Sequence, residues 1–271
     1  MVMTWMDLEQ SFTRAMLHSF SRTKALLVFP SLILCGILIV FCRALSFGAS
    51  EWMAMSLAFL PILLGTGILL SVGVLVIRLY QYEIKNLQLS IKKLLTGSFD
   101  IVLGTSYLSI PPILAYLLLW IALGVFFLLK EIPGLGQVFS TILSFGPFLL
   151  IFCSMLLCLF NLALLFFVAP AAAKLSSKRL HLAKVVFSLF QQRILTSLSL
   201  LFIALLPIAF FAGLLSWAAI LTNLSFSYGE QSWTLALEWF FIMLPFAALL
   251  TPAVIFFFNF SAESHYLLNK K

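Results

Sequence analysis

Charge is what this chain has least of. Only 9% of its 271 residues are charged, 16 Lys plus Arg against 9 Asp plus Glu, while 63% are hydrophobic and 29 are phenylalanine. Soluble domains carry about 25% charged residues and about 45–50% apolar ones, so this scarcity excludes a soluble globular fold. Histidine is nearly absent: His18, His181 and His265 stand far apart with no second ligand at metal spacing, and no metal site is expected. The four cysteines, Cys35, Cys42, Cys153 and Cys158, all lie in uncharged stretches. On helices the first two are about 10 Å apart along the axis and the last two differ by about 140° in phase, so neither pair suits a disulfide. No GxSxG motif occurs, and no strand or well-placed Lys accompanies Gly65, Gly67 and Gly73 to make a phosphate loop. Neither enzymatic chemistry nor a cofactor is expected.

What the chain does have is long apolar runs. Residues 25–42, 52–77, 101–129, 132–173, 194–229 and 239–262 carry no charge. Each approaches or exceeds the roughly 20 residues that a spanning helix needs, and backbone polar groups in lipid must pair within the segment. The run 132–173 is long enough for two crossings, and charge placement decides between one and two. With a single crossing, Arg14, Arg22, Lys24, Arg78, Lys85, Lys92, Lys93, Lys174, Lys178, Arg179, Lys184, Arg193, Lys270 and Lys271 gather on one side, leaving Arg43 and Lys130 on the other. The positive-inside rule then puts both termini in the cytoplasm.

The expected fold is an all-α integral membrane protein, a single polytopic membrane domain over 1–271. It has about six transmembrane helices, near 25–47, 52–77, 107–129, 147–168, 194–217 and 236–260. Ile132-Pro133-Gly134 would make an outer turn, and residues 138–146 an interfacial or re-entrant approach. Trp52, Trp217, Trp233 and Trp239 fall near outer ends and Tyr80, Tyr82, Tyr107 and Tyr266 near inner ends, as interfacial belts require, with Trp120 an exception. Asp7 and Glu9 precede the first apolar run, so it reads as a retained span rather than a cleaved signal.

Three basic segments carry an apolar stripe at helical spacing: Leu8, Phe12, Met16 and Phe20; then Ile84, Leu87, Ile91, Leu94 and Leu95; then Leu182, Val185, Val186 and Leu189. Such segments suit three cytoplasmic helices lying in the headgroup plane. Each precedes a two-span hairpin, a recurrence that suggests a threefold hairpin repeat, although similar hydropathy alone generates the same pattern. Lys85, Lys92, Lys93, Lys178, Arg179 and Lys184 are the candidate contacts for anionic lipid headgroups. Inside the spans, Asn161 is the candidate polar contact, because its amide needs an interhelical partner. Asn259 and Ser261 lie at the inner end of the last span and call for no special partner, and the span interiors hold no Asp, Lys or His chain.

The chain resembles bacterial six-span proteins of the glycerophosphoryl diester phosphodiesterase membrane-domain type and their stand-alone relatives. The resemblance rests on the order of elements, on Ile132-Pro133-Gly134 after span three, on Ala169-Pro170 closing span four, and on the basic stretch 174–193 leading into span five. It implies a fold and no catalytic residues, since no stretch is polar enough to hold the soluble phosphodiesterase domain. The resulting expectation is a non-enzymatic protein of the bacterial inner membrane, a scaffold or accessory subunit touching the bilayer's anionic headgroups. Its membrane-protein partner is unknown, and nucleic acid is not expected. An alternative is a permease for a small or lipid-like substrate, with Pro61, Pro111, Pro112, Pro147, Pro207 and Pro245 bending spans around a midplane site.

Overall fold

The computed structural model describes residues 5–85, 107–130, 132, 145–174, 194–221 and 233–269. They form seven α-helices: α1 (Trp5–Leu17), α2 (Arg22–Leu45), α3 (Glu51–Ile84), α4 (Ile110–Lys130), α5 (Phe145–Lys174), α6 (Ile194–Leu221) and α7 (Trp233–Asn269). Short 3-10 turns at His18–Phe20 and Tyr107–Ser109 precede α2 and α4. Helices α2 to α7 are the six long and apolar enough to cross a membrane, so this is a multi-pass membrane protein of helical class. Within the run 132–173, the described residues 145–173 belong to one long helix, α5.

Local chemistry sets the boundaries. Pro111 and Pro112 sit in the first turn of α4 and Pro147 in that of α5, where a missing N–H costs nothing. Between α2 and α3, Gly48 takes φ +73°, a conformation that only glycine adopts without strain. The Ser46 N–H closes α2 by donating to the carbonyls of Cys42 and Arg43.

Contacts along the helices set the relative directions of α2, α3, α5 and α7. Thr66 meets Asn161 and Arg78 meets Ala173, so α3 and α5 run parallel, and the Ser261 to Phe166 bond brings α7 alongside α5. Conversely, Lys24 lies beside Glu83 and Asn259 while Arg43 covers Trp239, which sets α2 antiparallel to both α3 and α7. The C-terminal ends of α3, α5 and α7 therefore share one end of the bundle with α1.

That α1 end is where the core sits. Residues 165–173 of α5 and 253–261 of α7 are buried without a break, so these segments are enclosed on all sides. Phe256 and Phe260 stack at 5.6 Å, Phe166 meets Phe257 edge-on at 5.5 Å, and Phe12 of α1 meets Phe256 at 5.1 Å; such pairs add about 0.5–1.5 kcal/mol each beyond area burial. The glycines of α3 face different neighbours. A Cβ on Gly65 would stand 3.3 Å from Cys35 Sγ, one on Gly67 3.2 Å from Ser109, and one on Gly73 2.2 Å from the Phe258 ring. Towards the other end the bundle opens: Leu118, Phe148, Phe210 and Trp217 are all exposed.

Two expectations need correction here. Ala169-Pro170 does not close its helix, because α5 continues to Lys174 with Pro170 inside it. A proline frees the carbonyl four residues earlier, and that carbonyl, on Phe166, accepts the Ser261 hydroxyl at 2.5 Å. Ser261 thus has a specific partner, and the neighbouring helix repairs the break that the proline makes. Replacing Ser261 with Ala should lower stability in detergent by about 1–2 kcal/mol, measured by thermal unfolding. Ser216→Ala, whose exposed hydroxyl bonds within its own helix, should leave it unchanged.

A candidate functional site of buried charge at the inner end

The most polar cluster in the described structure gathers where α1, the His18–Phe20 turn, α2, α3 and α7 converge. Asn259 and Glu263 are four residues apart on α7 and Tyr80 and Glu83 three apart on α3, so each pair shares one helical face. Lys24, two residues into α2, projects between them and is fully buried. Its ammonium pairs with Glu83 Oε2 at 2.6 Å and donates to Asn259 Oδ1 and the His18 carbonyl, each at 3.3 Å. An ammonium has three protons to place among such oxygens. The same nitrogen stands 4.7 Å from the centre of the Tyr80 ring, a cation–π contact that desolvation strengthens.

Each carboxylate is engaged on both oxygens. Glu83 accepts Ser21 Oγ at 3.1 Å on Oε1, and His18 Nδ1 lies 3.3 Å from its Oε2. Glu263, 6% exposed, accepts the Tyr80 hydroxyl at 2.8 Å on Oε1 and Ser11 Oγ at 3.3 Å on Oε2, with Arg14 Nη2 at 3.8 Å. Asn259 closes the network by donating to the Ala15 carbonyl at 3.2 Å. Two carboxylates thus face one ammonium and one guanidinium, and α1 is tied to α7 by three side-chain bonds in addition to Phe12. The arrangement ties α1, α2, α3 and α7 to one another.

These groups correct the reading of the inner ends. Lys24 counted only as a topogenic charge, Asn259 as unremarkable and Tyr80 as an interfacial ring, yet Tyr80 is 1% exposed and Asn259 fully buried. Glu83 and Glu263 were missed altogether. The legible signal was the spacing of Asn259 and Glu263, two strongly polar groups on one face at the end of an apolar run. The first stripe is also divided: Leu8 and Phe12 pack against the core while Met16 and Phe20 are 52% and 75% exposed. Trp239 lies buried between Phe47 and the Arg43 guanidinium rather than at a lipid boundary.

Of the residues singled out from sequence, Asn161 is 6% exposed and donates to Thr66 Oγ1 at 2.5 Å, while Thr66 donates to the Leu63 carbonyl. Lys85 is exposed at the C-terminal cap of α3. Lys92, Lys93, Lys178, Arg179 and Lys184, most of the second stripe and all of the third lie outside the described residues, as does the stretch 138–144. Nearby, the Tyr116 hydroxyl donates to the Ser56 carbonyl beside a cavity of about 10 Å³, too small for more than about one water. An apolar groove of about 510 Å³ runs along α4 between Trp120 and Leu128. No family model, curated protein or solved structure matches the chain.

Removing one side of the buried pair should expose its worth. Lys24→Met leaves Glu83 without its cation and should cost about 2–3 kcal/mol, below the usual range for a fully buried pair because water reaches part of Glu83. The double variant with Glu83→Gln should recover at least half of that loss, read as midpoints of denaturant unfolding in micelles.

Proposed function

We propose that this chain is a non-enzymatic multi-pass protein of a bacterial inner membrane, set with the α1 end in the cytoplasm. In this reading it serves as a scaffold or accessory subunit that gathers anionic lipid around its basic inner segments. The observation that carries the proposal lies among the described residues at the level of Asn161, whose amide is capped by Thr66 with Leu63 and Leu165 buried on the same helices. A permease would need a polar-walled cavity there. Orientation draws support from the cations: Arg14, Arg22, Lys24, Arg78, Lys85 and Lys174 all belong to the α1 end, and Arg43 to the other. Attraction to an anionic leaflet amounts to about 1 kcal/mol per cation near the surface.

The finer organisation belongs to the same proposal. Interfacial helices would precede each of the hairpins α2–α3, α4–α5 and α6–α7, giving a threefold repeat, and the likeness to the glycerophosphoryl diester phosphodiesterase membrane-domain type would extend over the whole chain. Alkaline phosphatase fused after Lys271 or beside Lys178 should be inactive in a bacterial host, and green fluorescent protein at either place should fluoresce. Activity of the phosphatase at either point overturns the orientation. Among lipids retained on purification, phosphatidylglycerol should fall several-fold when Lys92, Lys93, Lys178 and Arg179 are changed to Gln. An unchanged lipid profile defeats the lipid-gathering role.

A further inference from the structure

On α1, the side chains of Trp5, Leu8, Phe12 and Met16 fall within an arc of about 80°, which is the lipid-facing stripe of an interfacial helix. The structure uses only half of it. Leu8 and Phe12 lie on the core formed with α7, with Phe12 5.1 Å from Phe256 and 6.2 Å from Phe260, while Trp5 and Met16 are 86% and 52% exposed. The face that α1 buries most deeply is small and polar, Ser11 and Ala15 at 0% exposure, continued by Ser19 in the turn at 2%. Packing alone therefore holds α1 weakly, and a membrane surface offers Leu8 and Phe12 an equivalent apolar environment. What distinguishes the two placements is charge, together with the bonds that Asn259 and Lys24 donate to the Ala15 and His18 carbonyls. Docked, α1 and its turn present Arg14 and Ser11 to Glu263 and His18 to Glu83; lying on lipid, they present nothing to either carboxylate.

We propose that α1 is a releasable strap: ionised Glu83 and Glu263 hold it across α7, and neutralising them lets Leu8 and Phe12 exchange Phe256 and Phe260 for the membrane interface. The proposal rests on the reading of α2 to α7 as membrane-spanning. Two arrangements of one element, biased by a local change of charge, form a two-state device. Among the described residues, the groups facing Glu263 are Arg14 and Ser11 of α1 and Tyr80 of α3; those facing Glu83 are His18 of the turn and Ser21 and Lys24 at the start of α2. Release uncovers the aromatic face of α7 at Phe256 and Phe260.

The test uses the full chain in vesicles of phosphatidylcholine and phosphatidylglycerol, with a photoreactive phenylalanine in place of Phe12. On illumination the unaltered charge set should give mainly adducts to α7. Glu263→Gln should raise the ratio of lipid adducts to α7 adducts by about tenfold, Arg14→Gln should raise it in the same direction, and Glu83→Gln with Glu263→Gln should raise it further. An unchanged ratio in both single variants overturns the strap. Reaction of Cys35 with a maleimide, measured in each variant, checks the bundle: if both single variants expose this buried thiol, the cluster is a keystone of the fold and the strap is overturned. Quenching of the probe by water in the unaltered chain sinks the membrane reading itself, a result distinct from either.

Discussion

An ammonium ion taken out of water has three protons to place, and in this bundle a single residue draws their acceptors from three separate elements. Lys24 reaches a carboxylate on α3, an amide on α7 and a backbone carbonyl of the turn that leads from α1. Desolvating an ion costs several kcal/mol unless geometry and hydrogen bonding offset it. The positions of α2, α3, α7 and the turn are therefore coupled, because none can shift without stranding a charge. Glu263 extends the same constraint to α1 through Ser11 and Arg14. The aromatic packing around Phe256 to Phe260 adjoins this ionic centre, in which Lys24 and Asn259 are fully buried while Glu83 keeps some contact with water.

The helical class and the number of long apolar helices were legible because both depend on quantities that a sequence displays directly: runs without charge, and the need to pair every backbone group in lipid. Asn161 was legible for a related reason, since an amide in the middle of a run demands a partner. The inner cluster was not. Lys24, Tyr80, Glu83 and Glu263 lie at the edges of apolar runs, where an ionisable group ordinarily reaches headgroups or water. Only the convergence of four elements makes them interior, and convergence is a property of packing rather than of any one segment. Pro170 misled for the opposite reason: the rule that proline stops a helix is local, and the hydroxyl that removes its force arrives from Ser261 on another helix.

Cations that set topology during insertion are not all available afterwards. Arg14 and Lys24 face Glu263 and Glu83 in the folded protein, and the Arg78 Nε–H donates to the Ala173 carbonyl at the end of α5 at 3.4 Å. An unfolded segment entering the membrane presents these charges to the field across it, whereas in the finished bundle Lys24 is fully buried and Arg14 and Arg78 lean on partners at its edge. Because Glu83 and Glu263 are withdrawn together with the cations they face, the formal net charge of +7 is undiminished by these pairs, and exposed cations such as Arg22, Lys85 and Lys174 remain at the surface.

Helix α7 supplies Asn259 to α2, Ser261 to α5 and Glu263 to both α1 and α3. It is also the last of these helices to leave the ribosome. Until it arrives, the Phe166 carbonyl that Pro170 sets free, the Tyr80 hydroxyl and part of the Lys24 ammonium wait in the bilayer without their final acceptors or donors. Assembly is thus deferred until α7 has been made, and a nascent chain that stalls before this point displays unsatisfied polar groups in lipid, the kind of defect by which membrane quality-control proteases recognise an incomplete protein.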